Sequence, residues 1–366
     1  MKKWVIPGIL TVLLLVGTVL VLGFYFIEDL MNAALAEDPA TAASSSSLHG
    51  VVTSEETSEE TTKEETTKEE TTKEETTEEE TTREETTKEE TTKEETSEQI
   101  IIKDDPVISG THAFVYDMAS STYLYSYGSK NEHLAPASIT KLFSAFVALQ
   151  YMELDTVVTA GEEVSWIDPQ SSRAWMYQGQ RISVKHLIQG MIIPSGNDAA
   201  YILAVAAGRK IAGDPDLGAR AAYDTFVAEM NRQAAIFKLT GSHFMNPDGI
   251  DEDGHYTTLA DLVTIGQLAL RTPAIREAAA TNYIAVTFAS GESVEWSNSN
   301  KLIRTSYPAY YQEDACGLKT GSTENAGNCL LSAFRKGNNY LLICVMGCPK
   351  YDGRFEDTIT LYKHFQ

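Results

Sequence analysis

Between Thr53 and Gln99 the chain carries no apolar side chain. A stretch with nothing to bury cannot offset the entropy of ordering its backbone, so any packed core has to be built elsewhere. From Thr61 to Glu95 a five-residue unit, Thr-Thr-Lys-Glu-Glu, recurs seven times, with Glu78 and Arg83 in place of the lysine in two copies. Glutamate and lysine favour helix, but paired threonines and uncompensated glutamates oppose it. Residues 31–104 are therefore expected to form a disordered, self-repelling acidic Thr/Glu/Lys spacer. About fifty residues near polyproline-II extension reach roughly 150 Å.

The spacer also accounts for most of the charge. The 366 residues hold 52 acidic and 29 basic side chains, for a formal net charge of −23. Residues 51–100 supply −14 of it and residues 1–50 another −2, which leaves −7 for residues 101–366. No clustered Lys/Arg surplus is available to hold phosphates, which argues against a nucleic-acid partner.

Ahead of the spacer, Trp4 to Ile27 are 24 uncharged positions between Lys2-Lys3 and Glu28-Asp29. As a helix they span roughly 36 Å, enough to cross a bilayer core, and the flanking lysines favour a cytoplasmic N-terminus. Residues 1–30 are expected to be a transmembrane anchor. The alternative is a signal peptide, since Ala34-Leu35-Ala36 forms a cleavage pattern before Glu37, although the apolar run exceeds the roughly 7 to 15 residues of a signal core. Both readings export the chain. Residues 105–366 then face the outside of a single-pass cell-membrane protein, or are secreted if the segment is cleaved.

Residues 105–366 have ordinary globular composition. Strand-like segments at Thr111–Tyr116 and Thr122–Tyr127 open the domain. Helical stretches follow at Ser138–Met152, Val184–Ile193, Asn197–Gly208, Ala219–Ala235 and Thr258–Leu270. Strands return at Ala315–Gly321, Asn328–Phe334 and Tyr340–Met346, the last pair joined by a hairpin turn, and an amphipathic segment, Phe355–Phe365, ends the chain. Strands at both ends of a helical middle predict an α+β domain whose first and last strands share one antiparallel sheet.

Three short motifs lie in this domain. In Pro136-Ala137-Ser138-Ile139-Thr140-Lys141 the proline suits a helix start, and Ser138 and Lys141 fall one turn apart on one face. That spacing brings an amine to a hydroxyl, as activation of a weak oxygen nucleophile requires. Pro194-Ser195-Gly196-Asn197-Asp198 sits between two helices, where serine and asparagine also serve as caps. Lys319-Thr320-Gly321 lies on a strand, with a glycine that lets a substrate backbone approach. Each is weak alone. Their order, with 54 residues from Lys141 to Ser195 and 122 from Asn197 to Lys319, is far more specific.

Ser-x-x-Lys, a Ser-x-Asn triplet and Lys-Thr-Gly together mark penicillin-binding proteins and serine β-lactamases. Residues 105–366 resemble the low-molecular-mass penicillin-binding proteins, the serine-type D-alanyl-D-alanine carboxypeptidases. The resemblance extends to Ser195-Gly196-Asn197-Asp198-Ala199-Ala200, Phe244-Met245-Asn246-Pro247-Asp248-Gly249, Gly254-His255-Tyr256 and Gly317-Leu318-Lys319-Thr320-Gly321-Ser322-Thr323. It implies an antiparallel sheet flanked by helices with an inserted helical subdomain, as in β-lactamases and transpeptidases. It also implies that Ser138 attacks the penultimate D-alanine carbonyl of a peptidoglycan pentapeptide and that Lys141 accepts its proton. Ser195 would relay a proton to the departing D-alanine, Asn197 would bind the peptide backbone, and Lys319 and Thr320 would hold the terminal carboxylate along the strand through Gly321. Backbone N–H groups of Ser138 and Ser322 would form the oxyanion hole, and β-lactams would acylate Ser138 as covalent inhibitors. No cofactor is implied. A β-lactamase or DD-endopeptidase on the same scaffold is the alternative; a wall-associated β-lactam binder without turnover is a more distant one.

Many relatives carry a second β-rich domain and a C-terminal amphipathic helix, whereas this chain stops at Gln366 directly after the catalytic region; the expectation drawn from this is that the N-terminal segment serves as the anchor. Gly196 stands where class A β-lactamases have aspartate, and neither Glu162 nor Glu163 is a convincing counterpart of their deacylating glutamate. Cys316, Cys329, Cys344 and Cys348 permit disulfides in an exported chain, but buried thiols are favoured: Cys329 and Cys344 fall diagonally across the hairpin. Asp251-Glu252-Asp253-Gly254 fails as a calcium loop, because Gly249 and Ala260 occupy the first and last ligand positions. Asp248 and His255 are expected to be structural, and no metal site is expected.

Overall fold

The computed structural model describes residues 105–366; the segments read as anchor (1–30) and spacer (31–104) lie outside the described residues. Strands β1 (His112–Asp117) and β2 (Thr122–Tyr127) come first, then a 3-10 turn, Ala137–Ile139, that leads into α1 (Thr140–Ala148). A short pair, β3 (Val157–Thr159) and β4 (Arg181–Ser183), precedes α2 (Val184–Ile192), α3 (Asn197–Ala212), α4 (Ala219–Ile236), α5 (Leu259–Arg271) and α6 (Pro273–Ala280). A hairpin of β5 (Tyr283–Thr287) and β6 (Ser293–Ser297) follows. Strands β7 (Ala315–Thr323), β8 (Gly327–Lys336) and β9 (Asn339–Cys348) and helix α7 (Gly353–Phe365) complete the domain.

The main sheet runs β2-β1-β9-β8-β7, antiparallel throughout. β1 pairs with β9, so strands from both ends of the domain do share one sheet. β8 and β9 turn tightly at Gly337-Asn338, and Gly337 has φ +60°, the left-handed value a two-residue hairpin needs. Side chains alternate between two cores, as the two-residue period of a strand dictates. Phe114, Leu331, Leu342 and Cys344 face the helical layer. Ala113, Val115, Leu330, Leu341, Ile343 and Val345 face Phe355, Leu361 and Tyr362 of α7. The sheet is thus buried on both faces, which is why its central strands read as nearly continuous apolar runs.

All nine residues of α1 are buried, as suits a helix that is apolar on most of its circumference. Helices α2 and α5 start where the side chains of Ser183 and Thr258 accept the N–H groups of His186 and Asp261. Two expectations need correction. The helix expected over Ser138–Met152 splits into the 3-10 turn and a shorter α1 that stops at Ala148. The β3-β4 pair, the hairpin of β5 and β6, and α6 have no counterpart in the predicted elements. β3 and β4 are only three residues long, and β5 and β6 bury little, so neither pair carries a clear apolar alternation. Among the described residues no helix is long and apolar enough to cross a membrane.

Candidate active site

Lys141 lies in the first turn of α1, three residues beyond Ser138, and is fully buried. Its Nζ donates to Ser138 Oγ at 2.8 Å and to the Asp248 carbonyl at 2.8 Å. Removal from water lowers its pKa to about 8, against the opposing fields of Asp248 and Asp198. Near that pH a useful fraction of the amine is neutral, and a neutral amine can take a hydroxyl proton. The other polar groups of α1 also have partners, as burial requires. Ser144 Oγ donates to the Pro247 carbonyl at 2.7 Å, and Thr140 Oγ1 pairs with His255 Nε2 at 3.1 Å. Because His255 Nδ1 accepts the Met245 N–H, its proton sits on Nε2, and burial pushes its pKa down to about 4.

The turn that carries Ser138 is propped from below. Asn246 Oδ1 accepts the Gly249 N–H at 2.8 Å, and Gly249 has φ +87°. A Cβ on Gly249 would lie 1.8 Å from the Ala137 carbonyl oxygen. Ala137, directly before Ser138, is itself left-handed at φ +48°. Strain of this kind survives only where the surroundings over-determine it.

Ser195 is nearly buried and left-handed, at φ +69°. Gly196 N–H donates to Gly190 O and Asn197 N–H to Ser172 O, which seats the turn at the start of α3. The buried Asp198 carboxylate accepts the N–H groups of Ala174 (2.8 Å) and Met176 (3.0 Å) and so fastens residues 172–177 to α3. Position 196 has room for glycine alone, since a Cβ would stand 2.6 Å from that of Ala174.

On β7, Lys319 and Thr320 are buried. Burial and the positive charges of Lys141 and Arg354 push the Lys319 pKa well down, and its Nζ donates to the Thr320 carbonyl at 3.0 Å. Thr320 Oγ1 shares a 2.7 Å hydrogen bond with Ser299 Oγ, and Ser299 N–H donates to Ile193 O. That chain of bonds ties β7 to the segment entering Ser195. Gly321 does a different job from the one its sequence context suggests. Its missing side chain makes room for the turn that carries Ser138, because a Cβ would lie 2.8 Å from the Ala137 Cβ and 3.2 Å from the Ser138 nitrogen. The buried Arg354 of α7 donates to Gly321 O and to Ser322 Oγ, each at 2.8 Å, while Ser322 Oγ donates to Asn328 Oδ1.

Ser138 and Lys141 are thus in direct contact, Gly321 packs against their turn with Lys319 beside it on β7 in the field of Lys141, and Ser195 and Asn197 are attached through Ile193, Ser299 and Thr320. Motif reading missed Ser299, Arg354, the Asp248 carbonyl and the clamp made by Asp198. Asp198 and Asp248 at least fall inside the resembling runs. Ser299 and Arg354 sit in no motif, and only folding delivers them. Glu163 is elsewhere: it lines a separate cavity of about 590 Å³ with Met152, Val158, Ile202 and Arg209, and its Oε1 accepts the Gly161 N–H. Among the described residues all four cysteines are unpaired. Cys329, Cys344 and Cys348 are buried, and Cys344 faces Leu331, leaving Cys329 diagonal to it.

A serine hydroxyl held by a buried lysine amine beside the edge strand of an antiparallel sheet is the arrangement of an active-serine acyl-transfer site. Residues 98–350 match the D-alanyl-D-alanine carboxypeptidase family, and the chain belongs to that family. It is 29% identical over 240 residues to D-alanyl-D-alanine carboxypeptidase DacF of Bacillus subtilis (strain 168), covering 64% of this chain and 56% of the relative. It is 28% identical over 268 residues to a D-alanyl-D-alanine carboxypeptidase of Streptomyces sp. (strain K15), covering 71% of this chain and 88% of the relative. The crystal structure of the Streptomyces K15 DD-transpeptidase superposes with a TM-score of 0.64 at 27% identity, over 71% of this chain and 98% of that one. The chain therefore spans little more than half of the Bacillus relative but most of the Streptomyces one.

Proposed function

We propose that residues 105–366 are a serine DD-carboxypeptidase that removes the terminal D-alanine from peptidoglycan stem peptides. The observation that carries this reading is the 2.8 Å contact between the buried Lys141 amine and the Ser138 hydroxyl. Neutral Lys141 takes the Ser138 proton as Oγ attacks the carbonyl carbon of the penultimate D-alanine. The N–H groups of Ser138 and Ser322 hold the developing oxyanion. Collapse breaks the peptide bond, and Ser195 passes its hydroxyl proton to the departing amine while taking the one that Lys141 holds. Asn197 binds the acyl-side backbone, and Lys319, Thr320 and the strand through Gly321 hold the terminal carboxylate. Water then attacks the Ser138 ester and gives a proton to Lys141, which returns it to Ser138 Oγ as the ester bond breaks and the shortened peptide leaves. A β-lactam acylates the same oxygen. Residues 1–104 would act as anchor and tether, holding this domain outside the cell membrane.

The test labels the full-length chain with a fluorescent penicillin and measures D-alanine released from a pentapeptide. The expected result is both labelling and release, with both lost in Ser138→Ala. Folded protein that does neither sinks the proposal. Rapid loss of the label without D-alanine release supports a β-lactamase instead. Cell fractionation with and without residues 1–30 tests the anchor: material that pellets with membranes in both cases rules it out.

A further inference from the structure

Residues 172–177 are pinned beside the second motif at several points. Ser172 O accepts the Asn197 N–H at 2.8 Å, the two Asp198 oxygens accept the N–H groups of Ala174 and Met176, and the Trp296 indole donates to Ala174 O at 2.9 Å. Ala174 and Met176 are buried, but Trp175 between them is 59% exposed and Tyr177 is 54% exposed. Trp175 also holds a left-handed φ of +62°. That conformation strains the backbone of a bulky residue. A ring left largely in water returns little of this through packing. The strain instead keeps an aromatic face displayed on a segment clamped to Asn197.

We propose that Trp175, with Tyr177 two residues on, is a docking platform for the acyl side of the substrate. Its ligand would be a side chain with an aliphatic stem and a terminal ammonium, on the residue preceding D-alanyl-D-alanine. The proposal rests on the carboxypeptidase reading. With the terminal carboxylate held at Lys319 and Thr320 on β7, the acyl portion extends along Asn197 toward the segment pinned there. An aromatic face takes methylene groups by apolar contact and attracts an ammonium through its ring quadrupole. The platform selects among stem peptides and takes no part in bond breaking.

The test compares kcat/KM of the full-length chain for two acetylated peptides, X-D-Ala-D-Ala, with X either lysine bearing a free ε-amine or alanine. The wild-type chain should prefer lysine by about fivefold or more. Trp175→Ala should bring the ratio close to one, and Trp175→Phe should keep most of it. No lysine preference in the wild type, or an unchanged ratio in Trp175→Ala, overturns the platform. An equal fall on both peptides also overturns it, because Trp175 would then only shape the loop. Release of D-alanine from neither peptide by the wild type is a different failure, since it removes the carboxypeptidase reading itself.

Discussion

Arg354, from the last helix of the chain, donates to the Ser322 hydroxyl at the end of β7, and the same guanidinium nitrogen donates to the Gly321 carbonyl, each at 2.8 Å. The strand edge against which the Ser138 turn packs is therefore held from behind by a buried cation. Hydrogen bonds to charged groups contribute about 1.5–3 kcal/mol. Arg354→Met should accordingly slow penicillin acylation of Ser138 by about 10- to 100-fold, because Gly321 O loses its partner and the strand end drifts. Stopped-flow labelling beside a thermal melt checks this; a lower melting temperature with an unchanged acylation rate would assign Arg354 to stability alone.

Acylation should rise with pH through about 8. Only a neutral amine can accept a serine proton, and burial places the Lys141 pKa at about 8, below the ordinary 10.5. The stability effect has the same direction. Between about 8 and 10.5 the unfolded lysine binds a proton that the folded one does not, so this group's contribution to stability increases with pH across that window. Lys141→Met removes a buried amine and should leave the fold as stable or more so at pH 7, while slowing acylation by about 10²- to 10⁴-fold. Retention of wild-type acylation in that variant would refute the assigned base.

Gly249→Ala tests the prop beneath the Ser138 turn. The added Cβ meets backbone at 1.8 Å, and φ +87° disfavours any side chain. Destabilisation of about 3 kcal/mol or more is expected, with acylation lost even in the protein that remains folded. A denaturant melt and a labelling assay at low temperature separate the two effects.

His255 should make the domain acid-sensitive. Burial holds its folded pKa at about 4, below the ordinary 6.5. The unfolded histidine therefore binds a proton first as pH falls, and stability is lost between about 6.5 and 4. Urea midpoints measured across that range should slope downward toward acid, and less steeply in His255→Gln. Equal slopes in the two proteins would exclude this histidine as the source.

Much of the chemistry was legible along the chain because it depends on local geometry. Ser138 and Lys141 are three residues apart, and one helical turn brings them together whatever surrounds them. The strands of the main sheet announced themselves because both faces are buried, which forces apolar runs at β8 and β9. β3 to β6 stayed hidden because short, half-exposed strands need no such pattern.

Other features depended on closure of the sheet. The reason for glycine at 249 and 321 is the approach of Ala137, and no spacing encodes that distance. Ser299 at Thr320, Arg354 at Ser322 and Ser172 at Asn197 come from segments scattered over nearly two hundred residues. Even the depressed Lys141 pKa is tertiary, since desolvation is a property of what packs around an amine. A motif specifies which groups can react; long-range packing specifies how dry they are, how they are aimed and what they face.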